Sequence, residues 1–177
     1  GHTDEFVRFV NDTTILLAWV EAEEAHNHPI AAINAGRMQE NMRILRASTD
    51  QDGRPLQIIK CPLPDPITKS VQVVEQLKDP FAMNLKWDWF VEKETVSPGD
   101  SVERMPAASY LNYLVCNEAV ILPTYVKAGS SRQKEEQVLA IMKRVFPERK
   151  IIQLDVMNLN YYGGGIHCIT QQEPLAR

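Results

Sequence analysis

The sequence predicts an α/β fold built from strand-strand-helix-strand repeats, because one pattern of segments occurs twice along the chain. The first copy spans residues 6–61 and the second spans residues 107–157. In each copy two β-rich segments flank an Asn-acidic turn, and a helical segment and a third strand follow them. The chain has 177 residues, of which 44% are hydrophobic, so it is long enough for one domain with a core of its own.

The first repeat begins with two predicted strands, over residues 6–10 and 13–20, which are separated by a turn at Asn11 and Asp12. A helix is predicted from Pro29 to Ala47, because proline suits the first helical turn and Asn27 or His28 can cap it. Its apolar stripe consists of Ile30, Ile33, Met38, Met42 and Leu45. A strand over residues 56–61 completes the repeat.

The second repeat has the same order of segments. Strands are predicted over residues 110–116 and 119–125, around a turn at Asn117 and Glu118. A helix over residues 132–146 is capped by Ser131 and ends near Pro147, and a strand over residues 151–156 follows it. One face of this helix carries Val138, Leu139, Met142, Val145 and Phe146.

Residues 62–106 form a proline-rich excursion between the repeats, and it contains Trp87, Trp89 and Phe90. Long insertions often act as lids or binding loops. The alternative is that these aromatic side chains pack the excursion onto the core.

Composition excludes several classes of function. The formal net charge of −4 gives no broad basic surface for nucleic acid, and no apolar run approaches the ~20 residues that cross a bilayer. Three cysteines without paired spacing argue against a disulfide framework, so we expect a reducing, cytoplasmic compartment. The chain opens without a methionine or a signal-peptide pattern, and we expect it to be processed or cut from a longer one.

Three residues are candidates for chemistry. Cys168 follows a run of three glycines and is a candidate nucleophile, although a cysteine in a strand can also be a small buried hydrophobe. His2 and Asp4 would share one face of a strand, where they can supply a proton shuttle and a negative charge. The alternative is that His2 belongs to a frayed terminus. His167 would point away from Cys168 in an extended strand, and we interpret it as structural.

No metal site or cofactor site is predicted. His26 and His28 have no matching Cys or His pair at zinc-finger spacing. The glycines at 163–165 are followed neither by a P-loop lysine nor by a helix, so they match no nucleotide-binding fingerprint.

Three segments carry a resemblance to a known family: Gly-Gly-Gly-Ile-His-Cys-Ile-Thr-Gln-Gln at 163–172, Gly-His-Thr-Asp-Glu-Phe at 1–6, and Ala-Ala-Ser-Tyr-Leu-Asn at 107–112. They are similar, in order and spacing, to motifs of the agmatine deiminases and the bacterial peptidylarginine deiminases. Together they cover nearly the whole chain.

The resemblance implies a pentein fold, in which five strand-strand-helix-strand units surround a central channel that holds the active site. This chain would supply a partial propeller of about two and a half repeats, ending in a nucleophile strand over residues 163–174. The resemblance also implies that Cys168 is the nucleophile, that His2 is the acid and base, and that Asp4 binds the guanidinium group. Gly165 would contact substrate at a position where agmatine deiminases typically carry asparagine.

The function that the resemblance implies is hydrolytic deimination of agmatine or of arginine residues, without a cofactor. The family's further Asp and Glu come from an N-terminal part that this sequence does not contain. The expected partner is therefore that missing half, or a second copy of the chain. The alternatives are an amidinotransferase or a dimethylarginine hydrolase on the same fold, or a catalytically silent half-domain. A papain-like protease is disfavoured because its cysteine precedes its histidine.

Overall fold

The computed structural model describes residues 2–79 and 83–173, which fold into three small β-sheets and the helices that connect or cover them. The regular elements are β1 (Val7–Phe9), β2 (Thr14–Trp19), α1 (Ala22–Asn27), α2 (Pro29–Arg46), β3 (Gln57–Pro62), β4 (Lys69–Val74), β5 (Leu85–Lys86), β6 (Ser101–Arg104), β7 (Leu114–Val115), β8 (Ala119–Thr124), α3 (Arg132–Val145), β9 (Lys150–Asp155) and α4 (Met157–Tyr161). Gly1 and residue 174, which belong to predicted motifs, lie outside the described residues.

Two of the sheets have the same topology. The first has the strand order β1-β2-β3, and the second has the order β7-β8-β9. In both, the central strand runs antiparallel to the strand before it and parallel to the strand after it. A helix connects the two parallel strands, α2 in one unit and α3 in the other. The predicted order of strand, strand, helix and strand is therefore present twice.

Local side-chain chemistry explains where these elements begin. The Asn11 side-chain oxygen accepts hydrogen bonds from the backbone amides of Thr13 (3.1 Å) and Thr14 (2.8 Å), which closes the turn between β1 and β2. His28 caps α2, because its Nδ1 accepts from Ile30 N at 3.2 Å. The Ser131 hydroxyl accepts from Lys134 N at 3.3 Å and caps α3 as predicted.

The buried faces of the two helices differ in how well the sequence predicts them. Val138 and Met142 on α3 are fully buried, as expected. On α2, however, Ile33 is 55% exposed, and Ala31 and Ala35 are buried in its place. The two alanines pack with Val20 in a small cluster, where their short side chains let the helix lie close to the end of β2.

The core joins the two units. Buried side chains from both sheets and both long helices form one cluster, which includes Leu16, Leu17, Met38, Met42, Tyr110, Tyr113, Leu122, Tyr125, Val138 and Met142. The rings of Tyr110 and Tyr125 meet edge to face at 5.1 Å, and those of Tyr113 and Phe146 at 5.7 Å. Both ring contacts lie within the second unit, so the segment before β7 is packed against the rest of that unit.

The predicted strand over residues 110–116 is wrong over most of its length, because only Leu114–Val115 are extended in a sheet. The preceding residues form a turn instead: Leu111 N donates to the Ser109 hydroxyl at 3.1 Å and Asn112 N donates to Ser109 O at 3.3 Å. These local bonds satisfy backbone groups that a sheet ladder would otherwise use.

The excursion over residues 62–106 contains the third sheet, with the strand order β5-β4-β6. Trp87 is tied down within the excursion, because its Nε1 donates to Val96 O at 2.7 Å. Trp89 is 60% exposed and does not pack on the core. The excursion contacts α4 through Arg104, whose guanidinium donates to the carbonyl of Tyr161. Directly after the excursion, Ala107 N donates to Asn160 O at 3.2 Å. Across the described residues, no helix has the length and apolar character needed to cross a membrane.

Candidate active site

The first of the site's segments is a short turn at the beginning of the described chain. Thr3–Glu5 form a 3-10 helix, so the prediction that His2 and Asp4 share one face of a strand is wrong. His2 is extended and precedes this turn without a side-chain capping bond. Glu5 N donates to His2 O at 3.2 Å, and Phe6 N donates to Thr3 O at 3.1 Å. The turn nevertheless brings the two side chains together: ligand-type atoms of His2, Asp4 and Cys168 all lie within 4.8 Å of one another.

The second segment follows α4 and carries the cysteine. Gly163 adopts a φ of +94°, a conformation that favours glycine, and reverses the chain after the helix. His167–Ile169 then form a 3-10 helix rather than the predicted strand. Thr170 closes this turn through its backbone amide and its hydroxyl, which donate to His167 O at 3.1 and 3.0 Å. Cys168 is exposed, so it is not the small buried hydrophobe of the alternative interpretation.

The sulfur of Cys168 lies among polar groups from two other parts of the chain. Asn112 Nδ2 donates to Sγ at 3.2 Å. The thiol is 3.4 Å from Asp4 Oδ2, to which it can donate, and 3.9 Å from Glu5 Oε1. A nucleophile held between an amide donor and two carboxylates is suited to a cationic substrate.

The prediction that His167 points away from the site is wrong. Its Nδ1 lies 2.7 Å from Asp4 Oδ2, and because a carboxylate accepts, Nδ1 is the donor. The cause is the local helix: successive side chains diverge by about 120° in a 3-10 helix, and not by the ~180° of a strand. His167 therefore holds the carboxylate that faces the thiol.

Asn112 organises the site, and the sequence analysis did not assign it a role. It is fully buried, and its Nδ2, which carries two hydrogens, lies within donating distance of Asp4 Oδ2 (3.2 Å), Glu5 Oε1 (2.8 Å) and Cys168 Sγ (3.2 Å). Its Oδ1 accepts from His167 N at 2.8 Å. The signal in the sequence is an amide within the otherwise apolar run of residues 110–115.

Gly165 lies directly against this asparagine. A Cβ at residue 165 would lie 2.4 Å from Asn112 Oδ1 and 2.6 Å from its Cγ. The glycine therefore leaves room for the side chain that contacts both halves of the site. Its predicted contact with substrate stays a prediction.

The two carboxylates of the first turn differ in their protonation. Burial alone would raise the pKa of Asp4, but the hydrogen bonds from His167 and Cys168 outweigh it, and the pKa is lowered. Burial, together with the neighbouring charge of Asp4, raises the pKa of Glu5 to about 7. The site thus holds one firmly ionised carboxylate and one that gains or loses a proton near neutral pH.

A second set of contacts holds these segments in place. The Ser109 hydroxyl donates to Glu5 O at 2.6 Å. Arg8 donates to Leu111 O at 3.2 Å and to Tyr113 O at 3.0 Å, and its guanidinium lies 4.5 Å from the centre of the Tyr113 ring. The segment that carries Asn112 is therefore fixed on both sides.

The α/β scaffold presents an exposed thiol beside a histidine and a carboxylate. This arrangement is typical of proteins that use a cysteine as a nucleophile. Residues 1–174 match the model of the Porphyromonas-type peptidyl-arginine deiminase family, and the chain belongs to that family.

Named relatives agree with this family. The chain is 32% identical to an agmatine deiminase of Pseudomonas aeruginosa over 177 residues, which is all of this chain and 41% of that protein. It is 31% identical over 179 residues to an agmatine deiminase of Ectopseudomonas mendocina, covering 98% of this chain and 40% of that one. The chain therefore spans about two fifths of the length of these relatives.

Solved structures show the same fold. The agmatine deiminase of Enterococcus faecalis matches with a TM-score of 0.67 and 28% identity, over 98% of this chain and 40% of that one. The C. jejuni agmatine deiminase matches with a TM-score of 0.55 and 20% identity, over 94% of this chain and 37% of that one, which supports the fold alone.

Proposed function

We propose that this chain is the nucleophile-bearing part of a guanidine deiminase, which hydrolyses a guanidine group to a urea through a covalent intermediate on Cys168. The observation that carries the proposal is the convergence of Cys168, His2 and Asp4, whose functional atoms lie within 4.8 Å of one another. The agmatine deiminases among its relatives support the same reaction.

The chemistry explains why these residue types suit the reaction. The carbon of a guanidinium ion is stabilised by resonance and resists attack by water. A thiolate is a stronger nucleophile, but a free cysteine, with a pKa near ~8.5, is mostly protonated at neutral pH. A bound guanidinium beside the sulfur, or a protonated His2, would favour the thiolate.

The reaction would proceed in two halves. The Cys168 sulfur attacks the guanidinium carbon, and as the carbon–nitrogen bond breaks His2 gives a proton to the departing ammonia. This leaves an S-alkylthiouronium on the enzyme. Water then attacks the same carbon while His2 takes a proton from it, and breaking of the carbon–sulfur bond releases the ureido product and the thiol.

Asp4 would orient the substrate rather than react with it. A carboxylate can accept paired, charge-assisted hydrogen bonds from a guanidinium group, which places the carbon near the sulfur. Asp4 lies 3.4 Å from the sulfur and is itself held by His167 and Asn112. In this proposal His167 and Asn112 are positioning residues, and Cys168, His2 and Asp4 are the catalytic ones.

We assign the two strand-strand-helix-strand units, over residues 6–61 and 107–157, to a pentein propeller of which this chain forms about two and a half repeats. The repeated topology supports this assignment. The remaining repeats, and further carboxylates for the cation, would come from the rest of a longer protein or from a second copy, in the cytoplasm. The substrate would be agmatine, giving N-carbamoylputrescine and ammonia, or an arginine residue, giving citrulline.

A catalytically silent half-domain is the second candidate, and it is consistent with the short span of the chain relative to its relatives. An amidinotransferase passes the amidino group to an amine rather than to water, and a dimethylarginine hydrolase accepts a methylated arginine as substrate. Product analysis therefore separates all of these functions.

The experiment pairs turnover with labelling. The purified chain is offered agmatine and an arginine-containing peptide, and ureido product is measured. In parallel, labelling by chloroacetamidine, which carries an amidinium, and by the neutral chloroacetamide is quantified at Cys168 and at Cys116. Cys116 is also an exposed free thiol and is the matched control.

The proposal predicts that Cys168→Ala abolishes product formation and that Cys116→Ala preserves it. It also predicts that the amidinium reagent favours Cys168 over Cys116 by about fivefold or more relative to the neutral reagent, since a charge contact at ~4 Å is worth about 1 kcal/mol even in water. Asp4→Asn should remove most of that preference. Product formation by Cys168→Ala would contradict the nucleophile, and equal labelling of the two thiols would contradict a guanidinium site. Preference in the labelling without turnover would identify the silent half-domain.

A further inference from the structure

The cluster at the candidate site also has the composition of a metal-binding site. A thiol, an imidazole and a carboxylate, each with one available ligand atom, lie within 4.8 Å of one another in Cys168, His2 and Asp4. Sulfur, nitrogen and oxygen donors of this kind are the usual protein ligands of Zn²⁺. The proposed deimination makes no use of a metal.

The spacing of the best-defined pair fits a tetrahedral ion. With Zn–S near ~2.3 Å and Zn–O near ~2.0 Å, tetrahedral geometry places sulfur and oxygen about 3.5 Å apart. The observed distance between Cys168 Sγ and Asp4 Oδ2 is 3.4 Å. His2 is exposed and extended, so its ring can rotate towards the same point.

The surroundings favour binding as well. His167 donates to Asp4 at 2.7 Å, which fixes the orientation of that carboxylate as outer contacts do in metal sites. Glu5 Oε1 lies 3.9 Å from the sulfur and adds negative charge, or a fourth ligand, on the same side. Cys168 is exposed, so an ion can reach the thiol from solvent.

We propose that Cys168, His2 and Asp4 reversibly capture a single Zn²⁺ ion, and that this ion blocks the nucleophile. On binding, a zinc–sulfur bond forms and the thiol proton leaves to solvent, with no change of oxidation state. The sulfur lone pair that would attack a guanidinium carbon is then held by the metal. The ion acts as an inhibitor, and the inference goes beyond the proposed function without depending on turnover.

Cobalt provides the test, because Co²⁺ bound by a thiolate absorbs in the near ultraviolet and can stand in for zinc. The purified chain is titrated with Co²⁺ under reducing conditions, and Zn²⁺ is then added to displace it. The same titrations are made on Cys168→Ala, His2→Ala and Cys116→Ala. Cys116 is the matched control because it is an exposed thiol that belongs to no metal-ligand group among the described residues.

We expect a charge-transfer band that saturates at one equivalent of Co²⁺ and disappears as Zn²⁺ is added. The band should be absent in Cys168→Ala, at least about tenfold weaker in apparent affinity in His2→Ala, and unchanged in Cys116→Ala. Bound zinc should also slow the labelling of Cys168 by the neutral chloroacetamide.

Three results would overturn the proposal: no band with the unmodified chain, a band that survives in Cys168→Ala, or a band that is lost in Cys116→Ala. Loss of the band in Cys168→Ala alone, with His2→Ala unaffected, would show that the thiol binds metal without the proposed set of ligands. Because the readout is absorption, a failure here is distinct from an absence of deiminase activity.

Discussion

Replacing Glu5 with glutamine should change how the stability of the protein depends on pH. Burial and the nearby charge of Asp4 raise the pKa of Glu5 from 4.5 to about 7. Its ionised form is therefore less favourable in the folded protein than in the unfolded chain. Glutamine keeps an oxygen that accepts from Asn112 Nδ2, which lies 2.8 Å from Glu5 Oε1, but it cannot ionise.

The sign and size of the effect follow from proton linkage. Between pH 4.5 and about 7 the folded state binds more protons at Glu5 than the unfolded state, so the free energy of unfolding falls as pH rises through this range. The full difference in pKa corresponds to about 3 kcal/mol, at ~1.36 kcal/mol per pH unit. Because the side chain keeps some contact with solvent, we expect about 1–2 kcal/mol.

Urea unfolding at closely spaced pH values, from 4 to 8.5, would measure this fall in the free energy of unfolding. The wild-type chain should lose about 1–2 kcal/mol more than Glu5→Gln between pH 5 and 8. Asp4→Asn should move this fall to lower pH, because it removes the charge next to Glu5 while Glu5 stays buried to the same extent. Parallel pH profiles for wild type and Glu5→Gln would refute the reasoning.

Two further substitutions test the packing of the site and the start of a helix. Gly165→Ala should lower the free energy of unfolding by about 1–3 kcal/mol and slow the labelling of Cys168, because the new Cβ would lie 2.4 Å from Asn112 Oδ1. Gly36→Ala, where nothing lies within 4 Å, is its control and should be stabilising by about 0.5–1 kcal/mol. Wild-type stability and labelling in Gly165→Ala would contradict the close contact. Ser131→Ala should cost about 1 kcal/mol in urea unfolding through loss of the α3 cap, and an unchanged midpoint would count against that role.

The regular elements with strong local signals were predictable from the sequence. The helix that begins at Pro29 ends at Arg46, one residue before its predicted end, and the cap at Ser131 is observed. These features depend on neighbouring residues, so a short window of sequence contains the information. The buried face of α2 was less predictable, because the position of Ile33 depends on how the helix lies on β2.

The sequence predicted that the candidate site residues lie close together, but it did not predict their local structure. Cys168 and Asp4 lie together as expected, but both are on 3-10 turns rather than strands. The reason lies in the tertiary structure. The turn at His167 is held by a hydrogen bond from its backbone amide to the Oδ1 atom of Asn112, which lies 55 positions earlier in the chain. An asparagine in an apolar run indicates a buried amide that needs partners, but no local pattern identifies which residues those partners are.

The distance along the chain between the two halves of the site has a consequence for synthesis. Cys168 is separated from Asp4 by 164 residues and from Asn112 by 56. At about 5–20 residues per second, a ribosome would produce the carboxylates roughly 10–30 seconds before the thiol. A nascent chain in that interval has the negatively charged turn but no sulfur beside it. The Cys168 thiol therefore appears only after the carboxylates and the asparagine that contact it have been made.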